Sequence, residues 1–369
     1  MKLTISKEQI IQGLQAVQNI VSTRTTLPVL SNVLLRAEGN RLELTATDLD
    51  VSISSAVEAS AERAGAVTLP AKKLFGIVRE LPAPQIELEV DDKNTCRIVA
   101  GASYFKINGL PAEEFPPFPK FAENRKINLP QDKLKSLMRK TSFAISTDES
   151  RFVLNGIFMS LKEHKVTLVA TDGRRLALAE EEVDIPTGSE GECIVPSKAI
   201  NELNRLLGTQ GEVEIKFTDN QVSFTLQSAA GLATQIISKL IDGNYPNYRQ
   251  VIPGEAKERI TLGREELLQA LRRAELMTSE KSNSVKLSFT KNKVEITANT
   301  PEVGEARESI ALNYKGNDVA IAFNPIYMMD PLKALENDEV YLELIDELSP
   351  GVMKINGPFL YVLMPMRMS

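Results

Sequence analysis

Residues 3–21 read LTISKEQIIQGLQAVQNIV, residues 127–145 read INLPQDKLKSLMRKTSFAI, and residues 260–278 read ITLGREELLQALRRAELMT. Each stretch opens with a short alternating strand, passes a capping-type residue and continues as an amphipathic helix. Ile10, Leu14, Val17 and Val21 fall at helical spacing on one face of the first, Leu134, Leu137 and Met138 on that of the second, and Leu267, Leu271 and Ala274 on that of the third. One pattern written three times, about a third of the chain apart, predicts a chain built of three similar units.

The elements that follow repeat too. Alternating strands end in turns at LELTATDLD around Asp48, VTLVATDGRRL around Asp172 and VEITANTPE around Thr300. In the first, Leu42, Leu44 and Ala46 are expected on the core side and Glu43, Thr45 and Thr47 on a solvated side. A second helix follows in TLPAKKLFGIVREL, CIVPSKAINELNRLL and IAFNPIYMMDPLKAL. Pro70 and Pro196 precede the first two helices; Asn324 takes that place in the third, with Pro325 as the first helical residue. Further strands such as QIELEV and CRIVAGASYFKI close each unit. Two helices and about eight strands per unit imply an α+β fold, helices packed on antiparallel sheet, each unit large enough to own its core. The boundaries fall at 1–122, 123–254 and 255–369. Proline-rich links, GLPAEEFPPFPKFAEN and DGNYPNYRQVIPGEAKE, are expected to hold neighbouring units in fixed relation.

Composition narrows the chemistry. The 369 residues are 43% hydrophobic with a net charge of −6, which argues against a uniformly basic coat protein for nucleic acid while leaving a local basic face open. The two cysteines, Cys96 and Cys193, are too few for a cysteine-based zinc site and read as core residues. A single histidine, His164, excludes paired-imidazole mechanisms and His-rich metal sites; in Lys162-Glu163-His164-Lys165 it reads as a solvated turn. No apolar run reaches membrane-spanning length and the N-terminus is polar, so a soluble, cytoplasmic protein is expected.

Catalysis has no visible home. Asp48 and Asp172 occupy one position in two repeats, and turn aspartates commonly bond their own backbone; Asp91-Asp92 read as a hairpin tip. A metal-dependent hydrolase built on these aspartates is the weaker alternative. No phosphate-binding GxxxxGK[ST] loop or nucleophile elbow occurs, so no catalytic residue, metal or cofactor is expected.

Basic residues do gather, on the non-core faces of the repeated helices: Lys72, Lys73 and Arg79; Lys135, Arg139 and Lys140; Lys198 and Arg205; Arg272 and Arg273; Arg24 extends the set. Such a surface, without a stripe of stacking aromatics, would contact phosphates without reading bases, so duplex binding should be sequence-independent and salt-sensitive. At the C-terminus, Tyr361–Leu363 read as a last core strand, while Met364-Pro365-Met366-Arg367 form an apolar edge suited to docking.

The triplicated layout, ATDGRRLA at 170–177, YPNYRQVIP at 245–253 and the terminal VLMPMR together resemble the bacterial DNA polymerase III beta subunit family, the sliding clamps, across essentially the whole chain. The resemblance implies a clamp fold that dimerises head to tail into a six-domain ring, helices lining the hole, with duplex DNA inside. It implies a non-enzymatic processivity factor whose partners are the polymerase III alpha subunit, the clamp loader, and other polymerases and repair proteins carrying clamp-binding peptides. A specialised repair or resistance paralogue is the other reading. Carried over position by position, the peptide cleft is Leu154, Thr171, Gly173, Arg174, Arg175, Leu176, Pro246, Val251, Val362, Met364, Pro365, Met366 and Arg367. The DNA-facing set gains Arg151 and Phe152, and the dimer contact pairs Phe105 and Ile107 with Leu276 and Met277. Gln250, Val153 and the Met368-Ser369 extension depart from the family pattern.

Overall fold

A computed structural model describes residues 1–21, 27–121, 125–227, 232–279 and 283–367. The first repeat runs β1 (Lys2–Ser6), α1 (Lys7–Val17), β2 (Asn32–Glu38), β3 (Arg41–Thr47), β4 (Val51–Glu58), β5 (Ser60–Arg63), β6 (Gly65–Pro70), α2 (Ala71–Glu80), β7 (Gln85–Val90), β8 (Thr95–Ala100) and β9 (Ser103–Asn108). The second runs β10 (Arg125–Pro130), α3 (Gln131–Thr141), β11 (Gly156–Lys162), β12 (Lys165–Thr171), β13 (Arg175–Glu182), β14 (Gly191–Pro196), α4 (Ser197–Leu206), β15 (Glu212–Phe217), β16 (Gln221–Gln227) and β17 (Ala233–Lys239). The third runs β18 (Glu258–Gly263), α5 (Arg264–Glu275), β19 (Val285–Thr290), β20 (Lys293–Thr300), β21 (Gly304–Ala311), β22 (Val319–Phe323), α6 (Pro325–Ala334), β23 (Glu339–Leu344), β24 (Gly351–Lys354) and β25 (Phe359–Leu363). The expected pair of helices recurs in every repeat.

Local chemistry explains the helix limits. The Ser6 hydroxyl accepts the Gln9 amide at 3.2 Å, and the Asn324 side chain accepts the amides of Ile326 and Tyr327, so both caps satisfy donors that a helix start leaves unpaired. The predicted stripes are core: Ile10, Leu14 and Val17, like Leu267, Leu271 and Ala274, are fully buried, and Leu134, Leu137 and Met138 are no more than 2% exposed. One helix carries a flaw. Pro331 lies inside α6 and has no N–H to give the carbonyl one turn back, at Tyr327. The buried Tyr361 hydroxyl of β25 supplies the missing donor at 2.8 Å.

The sheets depart from expectation in one respect: they do not close within the repeats. The chain forms two compact units, one of residues 1–135, 186–189 and 198–240, the other of 136–185, 190–197 and 241–369. The first holds a five-stranded sheet, β5-β1-β7-β8-β9, and an eight-stranded one, β10-β15-β16-β17-β4-β3-β2-β6. The second holds β14-β11-β12-β13-β25-β24-β23-β18 and the four-stranded β21-β20-β19-β22. The residues of the middle repeat are divided between the two units. Its two half-sheets continue into the neighbouring repeats through antiparallel β17·β4 and β13·β25 pairing, and backbone hydrogen bonds make each junction part of one sheet.

A second correction concerns β3. Thr45 and Thr47 are only 5% and 4% exposed, although their faces were expected to be solvated. Thr45 donates to Ser54 at 3.3 Å and Thr47 shares a 2.7 Å hydrogen bond with Ser52, so cross-strand hydroxyl pairs take the place of water. The links also pack on their own units: Phe115 of the first is buried with Val29 and Leu30, and Tyr245, Tyr248 and Ile252 of the second lie on an apolar cluster in unit 2.

Candidate functional site

In unit 2 the turn from Thr171 to Arg175 connects β12 to β13 and is bonded almost entirely to itself. The Asp172 carboxylate accepts the amides of Arg174 and Arg175 at 2.9 and 3.1 Å. Thr171 Oγ1 accepts the Gly173 amide and donates to the Arg175 carbonyl. Gly173 sits at φ +85°, a left-handed conformation that glycine adopts without steric cost. Asp48 builds the same turn in unit 1 by accepting the amides of Asp50 and Val51, and Asp91 accepts those of Lys93 and Thr95 at its hairpin tip. The aspartates thus have the structural role read from the sequence. His164, at φ +58°, sits at an exposed turn, with its side chain 78% exposed.

Beside the Asp172 turn, Val169, Leu176 and Val362 form a buried apolar floor, with Phe158, Leu178, Tyr245, Tyr248, Ile252 and Leu360 packed around it. The register explains this gathering. Leu176 pairs with Val362 and Leu178 with Leu360 across β13·β25, so alternate residues of the two strands share a face. Tyr245 stacks on Phe158 with ring centroids 5.1 Å apart, and Tyr248 tilts against the same ring at 5.9 Å, pinning the Tyr245–Ile252 strap. The Met364 amide bonds the Arg174 carbonyl at 3.0 Å and the Met366 amide bonds Ala322 at 2.8 Å, so the tail runs along the rim of this face. Met364, Met366 and Val251 remain 46%, 38% and 51% exposed.

All thirteen residues expected to form a cleft belong to unit 2, and they differ in exposure. Leu154, Leu176 and Val362 are buried supports, while Gly173, Arg174, Pro246, Val251, Met364, Met366 and Arg367 are exposed, with Thr171 and Pro365 between. Arg175 is different. Its guanidinium is turned inward, donating to Asp172 at 3.1 Å, to Asp330 of α6 at 2.6 Å and to the Phe143 carbonyl at 2.6 Å, 4.2 Å from the Tyr327 ring centroid. Burial works against this charge, but the Asp330 and Asp172 partners hold its pKa above the ordinary arginine value. Arg175 is therefore a rivet between the turn and α6, with each of its three guanidinium nitrogens engaged. Sequence reasoning missed Phe158, Leu178, Leu360 and Tyr248; the strand alternation of β13 and β25 was the available signal.

The basic residues are less bare than their pattern suggested. Lys135 Nζ donates to the Leu207 carbonyl, and Arg205 donates to the carbonyls of Gln15 and Ala16, neutralising the end of α1. Lys198 pairs with Asp48, Arg139 with Glu336, Arg79 with Glu80, and Arg273 with Glu308. Arg151 faces Asp148 and the Asp172 carbonyl beside the cleft turn, next to a Phe152 that is 58% exposed. Lys72, Lys73 and Arg272 are exposed and carry no ion pair among the described residues. Arg24 lies outside the described residues.

At the positions expected to form a dimer contact, Phe105 is 40% exposed and Ile107 half-buried on β9, which ends its sheet. Leu276 is 72% exposed after α5, whereas Met277 turns to its own unit, its carbonyl accepting from Thr300.

Three family models, the N-terminal, central and C-terminal domains of the DNA polymerase III beta subunit, match residues 1–119, 128–247 and 249–367. The beta sliding clamp of Chlamydia pneumoniae is 34% identical over 368 residues, covering 100% of this chain and 99% of the relative. That of Pseudomonas aeruginosa is 36% identical over 373 residues, with full coverage of both. Among solved structures, the sliding clamp of Bacillus subtilis superposes with a TM-score of 0.93 at 34% identity, and that of Pseudomonas aeruginosa bound to griselimycin with 0.94 at 34%, each over 100% of both chains. Three tandem domain matches in order, on a fold with two helices per repeat and sheets continued across repeats, leave one conclusion: the chain belongs to the DNA polymerase III beta subunit family, the beta sliding clamps.

Proposed function

We propose that this chain is a non-catalytic, cytoplasmic DNA sliding clamp, divided at 1–122, 123–254 and 255–369. Two copies close head to tail around duplex DNA, and the unit 2 cleft tethers the polymerase III alpha subunit, the clamp loader and other peptide-bearing partners. One observation carries the reading. Both junctions inside the chain pair the last strand of one repeat with the fourth-strand type of another: β17 with β4, and β25 with β13. Among the described residues this leaves one strand of each type with a free edge, β9 and β21. A second copy supplies the missing partner for each, and two identical heterologous contacts close a ring.

The equivalences between repeats support one register for this contact. Phe105, Ile236 and Tyr361 occupy one ladder position, opposite Ile53 and Ala177 in the two internal junctions, which sets Phe105 opposite Ala306 of a second copy. Lys106 then faces Glu305, and Tyr104 faces Arg307. Counting from the helix starts, Leu276 corresponds to Phe143, whose ring packs 5.7 Å from Tyr361. Beside β9 the matching groove is open, about 480 Å³ lined by Lys72, Gly76, Ile77 and Phe105, which supports it as the seat for Leu276 of a second copy.

Enclosure makes weak DNA contacts sufficient. Exposed arginines already paired with carboxylates can exchange those partners for phosphates at little net cost, which suits a mobile grip. The test is a dimer in sedimentation at micromolar concentration, and retention on nicked circular DNA, loaded with clamp loader and ATP, that disappears on linearisation. Equal loss from circular and linear DNA would remove the reading.

A further inference from the structure

The two internal junctions share a backbone plan. Each has an aspartate-anchored turn with a left-handed residue, Leu49 at φ 79° or Gly173 at φ 85°, followed by antiparallel pairing in one register, Ile53 with Ile236 and Ala177 with Tyr361. The face beside the turn carries different chemistry in the two units, at every position but the last of the five compared. Where unit 2 has Val169, Leu176, Leu178, Leu360 and Val362, the equivalent unit 1 positions are Thr45, Ser52, Ser54, Gln235 and Ile237.

The unit 1 face is also satisfied from within. Besides the Thr45–Ser54 and Thr47–Ser52 bonds, Ser54 donates to Glu43 at 2.6 Å and Gln235 to Ser223 at 3.0 Å. Ser52 and Ser54 are 6% and 7% exposed. An apolar peptide laid here would displace paired hydroxyls and return nothing to them, a cost that a buried donor or acceptor bears in full. Leu49 also puts a side chain where Gly173 has none, the matching space in unit 2 being taken by the Arg151 guanidinium.

We infer that the location of the peptide site is specified by these ladder side chains and not by backbone shape: Leu178 and Leu360 are specificity-determining residues of the cleft, and unit 1 carries its closed, hydroxyl-bonded counterpart, so that each chain takes one apolar peptide. This deepens the proposed tethering role and rests on it. The same positions at the free edges are Tyr104, Lys106, Glu305 and Arg307, so the junction between copies offers no apolar face either.

The experiment is calorimetric titration of the full-length protein with griselimycin, a ligand of a similar clamp. One molecule per chain is expected. Leu178→Ser with Leu360→Gln, the unit 1 residues placed in unit 2, should weaken binding about 30-fold or more. Leu178→Met with Leu360→Met should stay within about threefold, and Ser54→Ala in unit 1 should change nothing. The single Leu360→Gln variant, at a partly exposed position, keeps the test available if the double variant fails to fold. Two molecules per chain, or unaltered affinity in a folded Leu360→Gln variant of a chain that binds, would overturn this inference alone. No binding by the unaltered chain would remove the tethering reading and this inference with it.

Discussion

Tyr361→Phe removes one oxygen from the centre of unit 2 and should cost far more than an oxygen usually does. The hydroxyl donates at 2.8 Å to the Tyr327 carbonyl, which Pro331 deprives of its helical donor. Tyr361 is fully buried, and burial pushes its hydroxyl pKa up, so the group stays protonated and able to donate. After the substitution the carbonyl loses this donor in a part-buried setting, and an unsatisfied acceptor costs about 1–3 kcal/mol, roughly a fivefold or greater drop in the folding equilibrium constant. The control lies in the helix. Pro331→Ala restores an N–H in reach of the same carbonyl, so Tyr361→Phe should be nearly neutral in that background. Equilibrium urea unfolding of the four proteins, compared at constant m, gives the coupling, expected at about 1–2 kcal/mol. Additive effects, with coupling below about 0.5 kcal/mol, would refute the claim that tyrosine and proline compensate one another.

Four further outcomes follow from the geometry. Burial opposes the Asp48 charge, but Lys198 and the Val51 and Asp50 amides hold its carboxyl below the ordinary value of 3.8; its stabilisation is therefore complete above that pH and fades as pH falls through the lower folded value. Asp48→Asn should flatten the acid limb of the stability profile, and parallel limbs for the two proteins would contradict it. Leu276→Asp should weaken dimerisation about 30-fold or more in sedimentation, while Lys106→Glu should weaken it and be rescued by Glu305→Lys in the same chain; unchanged dimers would sink the register. Gly173→Ala should cost only about 1 kcal/mol in urea unfolding, because Leu49 already tolerates this conformation and the Arg151 tip, 2.6 Å from the added methyl, can swing away; a loss above about 3 kcal/mol would show a clash that cannot relax. Arg272→Gln should lower the salt dependence of duplex affinity by about one counterion, and Arg273→Gln, whose charge Glu308 already balances, by less; equal slopes would argue against the role of free charge.

The threefold plan was legible in the chain because helical and strand periodicity are local properties. Ile10, Leu134 and Leu267 announce their buried stripes without any partner in view, and Asn324-Pro325 marks a helix start by its own hydrogen-bonding chemistry. The turn role of Asp48 and Asp172 was equally readable, since the amides they accept lie within three residues. The apolar tail and the Asp172 turn were singled out together through family resemblance, and their meeting in one unit follows from a single strand pairing.

The sequence by itself determined where the repeated helices and strands fall and how many repeats there are. Only the tertiary structure decided that the middle repeat divides between two units, that Arg175 turns inward to bind Asp330, 155 residues away, and that most of the basic side chains already hold carboxylate or carbonyl partners. The physical reason is range. Periodicity and capping act over a few residues, whereas sheet continuation, ion pairing and the donor that Tyr361 lends to Pro331's helix depend on groups that folding alone makes neighbours.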